Sequence, residues 1–297
     1  MRRILLILAL IAGLALPAQM FGGDSSAILG TEGWFAGALP PPGFTFINYL
    51  TYVNGDKIKD ADGHTIKAVD FDLDVVANVM RLIYVSDITI LDANLAWHVV
   101  VPLVYQDAKV QPPIGGFSED HFGLGDCYIS PFILGWHSEL FHWVLGLDII
   151  TPTGQYSKSD NASIGSNHWT FEPAFAVSFI HPDGISASVK FMYDFHTEND
   201  DTKETTGQQF HMDYNVGYQV AEDLRLGIGG YYLKGTQSDE IDSNTVPGTI
   251  EQCFAVGPSA MYSFNPALHL IAKLQYETMA ENRAEVDRTW VKLIYSF

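Results

Sequence analysis

Hydrophobic and polar residues alternate with a period of two along most of the chain after residue 42, which is the pattern of β-strands. In the segment 169–179, for example, Trp169 and Phe171 share an apolar face with polar residues between them, and 185–197 repeats the pattern. We predict about twelve antiparallel strands that close into an up-and-down barrel. The predicted strands are 43–54, 68–85, 91–105, 123–136, 142–153, 167–181, 185–197, 207–220, 224–236, 251–264, 268–279 and 286–297.

The segments between these strands alternate in length, which is independent support for a transmembrane barrel. Five of them are short turns: 86–90, 137–141, 182–184, 221–223 and 265–267. The others are mostly longer and polar: 55–67, 106–122, 154–166, 198–206, 237–250 and 280–285. Outer-membrane barrels combine short periplasmic turns with longer extracellular loops. We therefore predict an all-β outer-membrane barrel with both termini on the periplasmic side.

The N-terminus indicates export. Arg2 and Arg3 precede an apolar run, 4–16, that is too short to span a bilayer as a helix. These features are typical of a secretory signal peptide, which we place at 1–18, and they predict secretion to the periplasm and residence in the outer membrane. The barrel would then occupy 43–297.

The segment 19–42 lies between the signal peptide and the first predicted strand, and it is rich in glycine and small residues. It is either a periplasmic lead or a plug that folds into the lumen. We favour contact with the barrel, in which Trp34 and Phe35 would touch an apolar substrate.

The final strand ends on an aromatic residue. Val291, Leu293, Tyr295 and Phe297 share one face of this strand. We interpret Tyr295 and Phe297 as the insertion signal that the barrel-assembly machinery reads.

Alternation alone does not show which face of a barrel meets lipid. A soluble barrel of twelve strands would need a dry core of large side chains, because eight strands already enclose an interior that side chains fill. The polar face here carries charges instead, so we predict that it lines a wet lumen. The predicted lumen residues are Asp70, Asp72, Asp74, Asp126, Asp148, Glu172, Lys190, Asp194, His211, Asp213, Asn215, Arg225, Lys273, Gln275, Arg288 and Lys292.

The second predicted strand carries three acidic residues at alternate positions and one arginine. Asp70, Asp72 and Asp74 form either a cation-selective stripe or, as we favour, pairs with basic residues of neighbouring strands. In that register Arg81 falls on the lipid side, which a β-bulge or a position at the periplasmic rim would explain.

The formal net charge of −19 argues against nucleic acid as a partner. The predicted long loops are acidic, and we expect them to meet lipopolysaccharide through divalent cations, to repel anions from a pore mouth, or simply to be soluble. The partners that we expect are outer-membrane lipids, a small-molecule substrate and the assembly machinery.

Motifs for chemistry are few. The histidines and the two cysteines lack the spacing of a zinc site, and no nucleotide-binding motif is present, so we predict no metal and no cofactor. A lipid-modifying enzyme would need a Ser–His pair. His196 and His211 lie on neighbouring predicted strands, but no serine suits the role of nucleophile. The remaining alternative is a structural barrel with a closed lumen.

Several segments of the chain resemble segments of known proteins: Gly37 to Gly43, Asn78 to Val85, Gly123 to Trp136, Thr151 to Gly154, Trp169 to Pro173 and Trp290 to Phe297. Together they resemble the outer-membrane transporter-like proteins of the meta-cleavage pathway of phenol degradation. The resemblance implies a channel or transporter for small hydrophobic or aromatic compounds, and it supplies no catalytic motif.

Overall fold

A computed structural model describes residues 28–111 and 116–297, so the predicted signal peptide lies outside the described residues. The described chain is built from strands and contains no helix. The strands are β1 (Gly43–Ile58), β2 (Asp70–Ile90), β3 (Ala93–Gln111), β4 (Phe117–Leu124), β5 (Tyr128–His137), β6 (Phe141–Ile150), β7 (Thr170–Ile180), β8 (Ile185–His196), β9 (Glu204–Thr205), β10 (Gln209–Gln219), β11 (Leu224–Gly235), β12 (Glu240–Ile241), β13 (Asn244–Thr245), β14 (Gln252–Asn265), β15 (Leu268–Glu281) and β16 (Ala284–Ser296).

The long strands form one closed antiparallel barrel. Each pairs with its neighbours in chain order, and the pairing of β1 with β16 joins the two ends of the sheet. β4 and β5 act as a single barrel strand that is interrupted at 125–127, since both pair with β3. The barrel therefore has twelve strands, which confirms the predicted fold class. The short strands β9, β12 and β13 form a separate small sheet between two extracellular loops.

Two predicted connections are wrong. β2 continues through the predicted turn 86–90 to Ile90, so the turn itself is 91–92. The segment 106–122 was expected to be irregular, but β3 and β4 continue as a paired hairpin up to Val110 and Phe117. The charges of Asp107, Lys109 and Glu119 suggested a loop. In a hairpin that extends beyond the barrel wall, a regular strand can carry such side chains: Asp107 is exposed, and Glu119 accepts hydrogen bonds from Asn161 of a loop. Their polarity therefore carries no information about the backbone.

The polarity of the barrel is that of an outer-membrane protein, with apolar side chains outside and polar ones inside. Aromatic rings collect on the outer surface at the short-turn end, where Phe44 packs on Tyr84 at 4.8 Å and Tyr295 packs on Phe297 at 4.9 Å between ring centroids. Such girdles sit at the membrane interface, where one side of a ring is wet and the other dry. In the described part of the chain, no helix has the length and hydropathy to cross a bilayer.

The predicted register of β2 is wrong by one residue. Phe71 and Leu73 are buried in the interior, whereas Asp70 and Asp72 are exposed on the opposite face. A one-residue error reverses every side chain of a strand, because the side-chain period is two. Asp70, Asp72 and Asp74 therefore point away from the lumen at the extracellular end, and Arg81 points into it. The expected bulge at Arg81 is unnecessary, since β2 pairs with β1 without a register shift.

Of the three outward carboxylates, two have partners on neighbouring strands. Asp70 lies 2.9 Å from Lys109 Nζ, and Asp74 accepts a hydrogen bond from Tyr52. Asp70 therefore pairs with a basic residue of a neighbouring strand, as we favoured from the sequence. The pair lies on the outer surface of the barrel and not in the lumen.

Candidate functional site: the plugged lumen

Residues 28–42, here called the plug, lie inside the barrel and lead to the start of β1 at Gly43. An irregular segment in a closed interior must find partners for its backbone groups. The wall supplies them: Asp213 accepts the N–H groups of Gly30 and Glu32, both at 2.8 Å. Further along, Gly37 N donates to Ser178 Oγ at 2.9 Å, and Phe35 N donates to a second wall serine.

Lys273 binds the other side of the same backbone. Its Nζ donates to the carbonyl oxygens of Thr31 and Glu32, each at 2.9 Å, and also to that of Gly30. The plug backbone thus lies between a carboxyl group and an amino group of the wall, and each of these holds more than one peptide group.

The side chain of Glu32 is the ionic anchor of the plug. Its carboxylate lies 2.7 Å from Arg81 Nη1 on β2 and 2.7 Å from Lys292 Nζ on β16, and Tyr49 donates a third contact at 3.2 Å. Burial by itself raises the pKa of Glu32, but Lys292 and Arg81 outweigh burial and hold the pKa well below its usual 4.5. Glu32 is therefore a carboxylate at neutral pH and compensates two cations of the wall.

Two aromatic residues complete the docking of the plug. Trp34 is 5% exposed and packs with Met261 and Ile271. Phe35 lies beneath the guanidinium of Arg225, 5.2 Å from the ring centroid. The φ of Phe35 is +57°, a left-handed conformation that is uncommon for a bulky residue and that the turn of the plug requires.

The wall is recessed where the indole of Trp34 rests. Gly217 on β10 and Gly227 on β11 are paired across the strands, and both lie under the ring. A Cβ at position 227 would meet Trp34 at 2.9 Å, and one at position 217 would lie among the ring atoms. The absence of side chains at these two positions is what admits the indole.

We expect Gly217→Ala to loosen the plug. The added methyl group must displace Trp34, and overpacking of this kind costs about 1–3 kcal/mol. Amide hydrogen exchange over 30–37 should therefore accelerate by roughly fivefold to about 100-fold. Gly146→Ala is the matched control, because its new Cβ would meet its nearest neighbours at an ordinary 3.5 Å. Equal exchange in the two variants would contradict this account of the recess.

Charged side chains of the wall form a chain across the lumen beside the plug. We call Arg81, His98, Asp148, Lys190, Glu172, His211 and Asp194 the charged belt. At one end, Arg81 Nη2 lies 2.8 Å from His98 Nδ1, and His98 Nε2 lies 3.0 Å from Asp148 Oδ1. In the middle, Lys190 Nζ lies 3.9 Å from Asp148 Oδ2 and 3.7 Å from Glu172 Oε1. At the other end, His211 Nε2 lies 3.4 Å from Glu172 Oε2 and 3.2 Å from Asp194 Oδ2. Buried charges are tolerated when they are paired in this way.

Two cavities border the charged belt. The larger, about 260 Å³, lies toward the short-turn end, where Thr45 and Ser296 line it. One part of its wall is aliphatic: Leu39, Ile47, Ile83, Ile133, Val144, Met261, Ile271 and Ile294. The part next to the plug anchor and the charged belt is polar: Glu32, Arg81, His98, Asp148, Lys190 and Lys292. The smaller, about 60 Å³, includes Tyr49, Tyr128 and Asp213. Both cavities contact Glu32 and Arg81, so the anchor of the plug stands between them.

An extracellular loop folds into the opposite mouth of the barrel. Ala162 of the loop 151–169 is buried against Val53, Phe71 and Val286 of the wall. Asp126 holds this loop by accepting hydrogen bonds from Gly154 N at 2.7 Å and from a backbone N–H and a hydroxyl of the same loop. The lumen is thus covered from the outside and plugged in its middle.

The predicted lumen residues fall into three groups. Those buried on the inner wall are Asp148, Glu172, Asp194, His211, Asp213, Asn215, Lys273, Gln275 and Lys292, with Lys190, Arg225 and Arg288 partly buried there. Asp126 anchors a loop, as described above. Asp70, Asp72 and Asp74 lie on the outer face, because the register of β2 differs from the prediction.

Sequence reasoning missed four participants: Glu32, Arg81, Tyr49 and His98. Glu32 lies in a segment without hydrophobic periodicity. The inward placement of Arg81 would have followed from aligning β2 on its apolar residues instead of on its acids. Nothing in the local sequence marks Tyr49 or His98 as contacts of the plug or the belt.

The chain matches a family model described as "Putative MetA-pathway of phenol degradation" over residues 55–293. No curated protein sequence matches it. Among solved structures, the COG4313 outer membrane channel from Pseudomonas putida F1 is similar with a TM-score of 0.79 at 18% identity, over 90% of this chain and 99% of that one. The β domain of the Bordetella autotransporter Brka is similar with a TM-score of 0.53 at 11% identity, over 86% of this chain and 100% of that one. At these identities the likeness concerns the fold.

Proposed function

Because the chain belongs to the family described as "Putative MetA-pathway of phenol degradation" and folds as a plugged outer-membrane barrel, we propose that it is a gated channel for small hydrophobic or aromatic compounds. The observation that carries this proposal is the partly aliphatic cavity of about 260 Å³ between the plug and the wall. An apolar cavity of roughly 150 Å³ is sufficient to hold benzene, so this one has room for a substituted single ring.

The position of the cavity supports passage rather than storage. It lies toward the periplasmic end, and the Glu32 anchor separates it from the second cavity deeper in the lumen. Much of its wall is apolar, so an apolar solute would lose water favourably on entering it. Release of the plug would join the two cavities.

The proposal predicts that filling the cavity blocks uptake. Gly146 on β6 lines the chamber, and an added Cβ would have no neighbour closer than 3.5 Å, so Gly146→Phe should place a ring inside it. The assay measures uptake of a labelled single-ring aromatic compound, at low external concentration, by a Gram-negative strain that lacks the protein. We expect the wild-type chain to restore this uptake. The uptake rate that the Gly146→Phe variant restores should be lower by about tenfold or more. A clash of about 1.4 kcal/mol between the new ring and the substrate is enough for this loss.

Leu145→Phe is the matched control, because this neighbour points outward and is 43% exposed. It should restore uptake fully. Equal uptake by cells with and without the wild-type chain, or by both variants, would overturn the proposal. A sugar of similar volume serves as a second control and should enter no faster in the presence of the protein.

The remaining expectations on partners and export belong to this proposal. The acidic extracellular loops would meet lipopolysaccharide through divalent cations, Tyr295 and Phe297 would be read by the assembly machinery, and the signal peptide would direct export to the periplasm.

For catalysis we infer no role: His196 contacts the hydroxyl of Thr170 at 2.9 Å, and His211 faces two carboxylates. An acyl-transferring enzyme would instead need a serine nucleophile at its histidine.

A further inference from the structure

We propose that Glu172, Asp194 and His211 form a binding site for one divalent transition-metal ion, and that Zn²⁺ is the ion that best fits it. The three residues come from β7, β8 and β10, which are consecutive strands of the wall. None is more than 3% exposed. The site is independent of the transport proposal, since it concerns the wall and not the plug.

Two of the three spacings between the donor atoms match those of a metal site. His211 Nε2 lies 3.2 Å from Asp194 Oδ2 and 3.4 Å from Glu172 Oε2. One donor atom of each residue lies within 4.8 Å of the other two. Tetrahedral bonds of about 2.0–2.1 Å to nitrogen and oxygen place neighbouring donors roughly 3.3–3.4 Å apart.

The alternative arrangement is a protonated imidazole between two carboxylates, and the hydrogen-bond geometry does not favour it. The contacts of His211 Nε2 with the two carboxylates are of ion-pair length, at 3.2 and 3.4 Å, but neither is aligned as an N–H···O hydrogen bond. In the described structure, both nitrogens of His211 and both oxygens of Asp194 are buried without a hydrogen-bond partner. Unsatisfied buried polar groups are unfavourable, and a bound metal ion would take up donors from both residues.

The charges of the surroundings suit a divalent cation. Two carboxylates neutralise its charge, and imidazole and carboxylate together are donors that Zn²⁺ accepts. Lys190 Nζ lies 3.7 Å from Glu172 Oε1, which leaves Oε2 of the same carboxylate directed toward His211. The ammonium group therefore orients this carboxylate without occupying the oxygen that the ion would use.

The site also has room for a fourth ligand. The cavity of about 60 Å³ is lined by Glu172 and His211, with Asp213 beside them. A water molecule needs roughly 10–15 Å³ of such space, so a water fits beside Glu172 and His211. Three protein ligands and one water complete a tetrahedral zinc site.

The test is metal binding by the whole purified barrel in detergent. After treatment with a chelator, we expect added Co²⁺ to give the visible absorption of a tetrahedral site, Zn²⁺ to abolish it, and elemental analysis after dialysis to find about one Zn²⁺ per chain. His211→Gln and Asp194→Asn should each weaken Co²⁺ binding by at least about tenfold. His98→Gln is the matched control, because His98 is equally buried but contacts a single carboxylate, at 3.0 Å.

Heat-dependent mobility on electrophoresis reports whether each variant is folded. If His211→Gln does not fold, Asp194→Asn and the near-isosteric Glu172→Gln decide the question. The proposal is overturned if the wild-type barrel gives no Co²⁺ spectrum and retains no Zn²⁺. It is equally overturned if the folded ligand variants bind the metal as well as His98→Gln does.

Discussion

A mature chain that begins at Pro41 is expected to conduct ions at least about tenfold better than the chain that keeps its plug, because twelve strands enclose more space than side chains of the wall can fill. Among the described residues of the wild-type lumen, cavities of about 260 and 60 Å³ lie on either side of the Glu32 anchor. Removing the plug joins them. Single-channel recordings in planar bilayers measure the difference directly.

The truncated barrel should still fold, since the groups that the plug leaves behind become hydrated. Asp213, Lys273 and Lys292 would then face water in the lumen instead of the plug. A chain in which 28–40 is replaced by a glycine-serine segment of equal length is the matched control for chain length. It should conduct like the truncated chain, because it lacks Glu32 and Trp34. A truncated barrel that conducts no better than the wild type would show that the wall and the loop 151–169 close the lumen by themselves.

The second large effect is expected from Glu32→Gln. The substitution keeps the shape of the side chain but leaves Arg81 and Lys292 without their counter-charge inside the barrel. Breaking a buried ion pair by removing one partner costs roughly 3–5 kcal/mol. The ratio of docked to undocked plug should fall by about 100-fold or more, which frequent opening events in single-channel recordings would reveal.

Two comparison variants make this result specific to the ionic anchor. Thr31→Ala alters the neighbouring plug residue, whose hydroxyl bonds within the plug to the carbonyl of Ile28, and should leave the recordings unchanged. Lys292→Met added to Glu32→Gln removes one of the two uncompensated cations and should recover part of the docking. A Glu32→Gln barrel that opens no more often than Thr31→Ala would contradict the role of Glu32.

The wild-type anchor should also respond to acid in a defined direction. The docked pKa of Glu32 is depressed below its usual 4.5, because Lys292 and Arg81 outweigh the effect of burial. The stabilisation by this carboxylate is therefore fully present above about pH 4.5 and is lost as the pH falls through the docked pKa. The same recordings should show a closed barrel at neutral and mildly acidic pH and openings only in stronger acid.

Much of the fold could be predicted from the sequence by itself, and the reason is local. A strand of a membrane barrel meets lipid on one face and the lumen on the other, so each strand carries its own alternation. On β7, for example, Glu172 is buried and Phe171 is exposed, as the alternation predicts. The strand number, the order of pairing and the alternation of turns and loops follow from the same signal.

The register of β2 shows where this signal fails. Asp70, Asp72 and Asp74 look like a lumen stripe, yet they lie beyond the membrane, where the outer face also meets water. Polarity then no longer distinguishes the two faces of a strand. Only the apolar inward positions, such as Phe71, indicate the register there.

The functional interior was decided by the tertiary structure. Glu32 meets Arg81 and Lys292 across 49 and 260 residues of chain, and Gly37 meets Ser178 across 141. The donors of the proposed metal site come from three strands, so no local spacing reveals them. The sequence by itself determined a barrel in the outer membrane with a charged interior. The folded chain decided what fills that interior, because contacts between strands and plug depend on the closure of the sheet and not on any neighbouring residues.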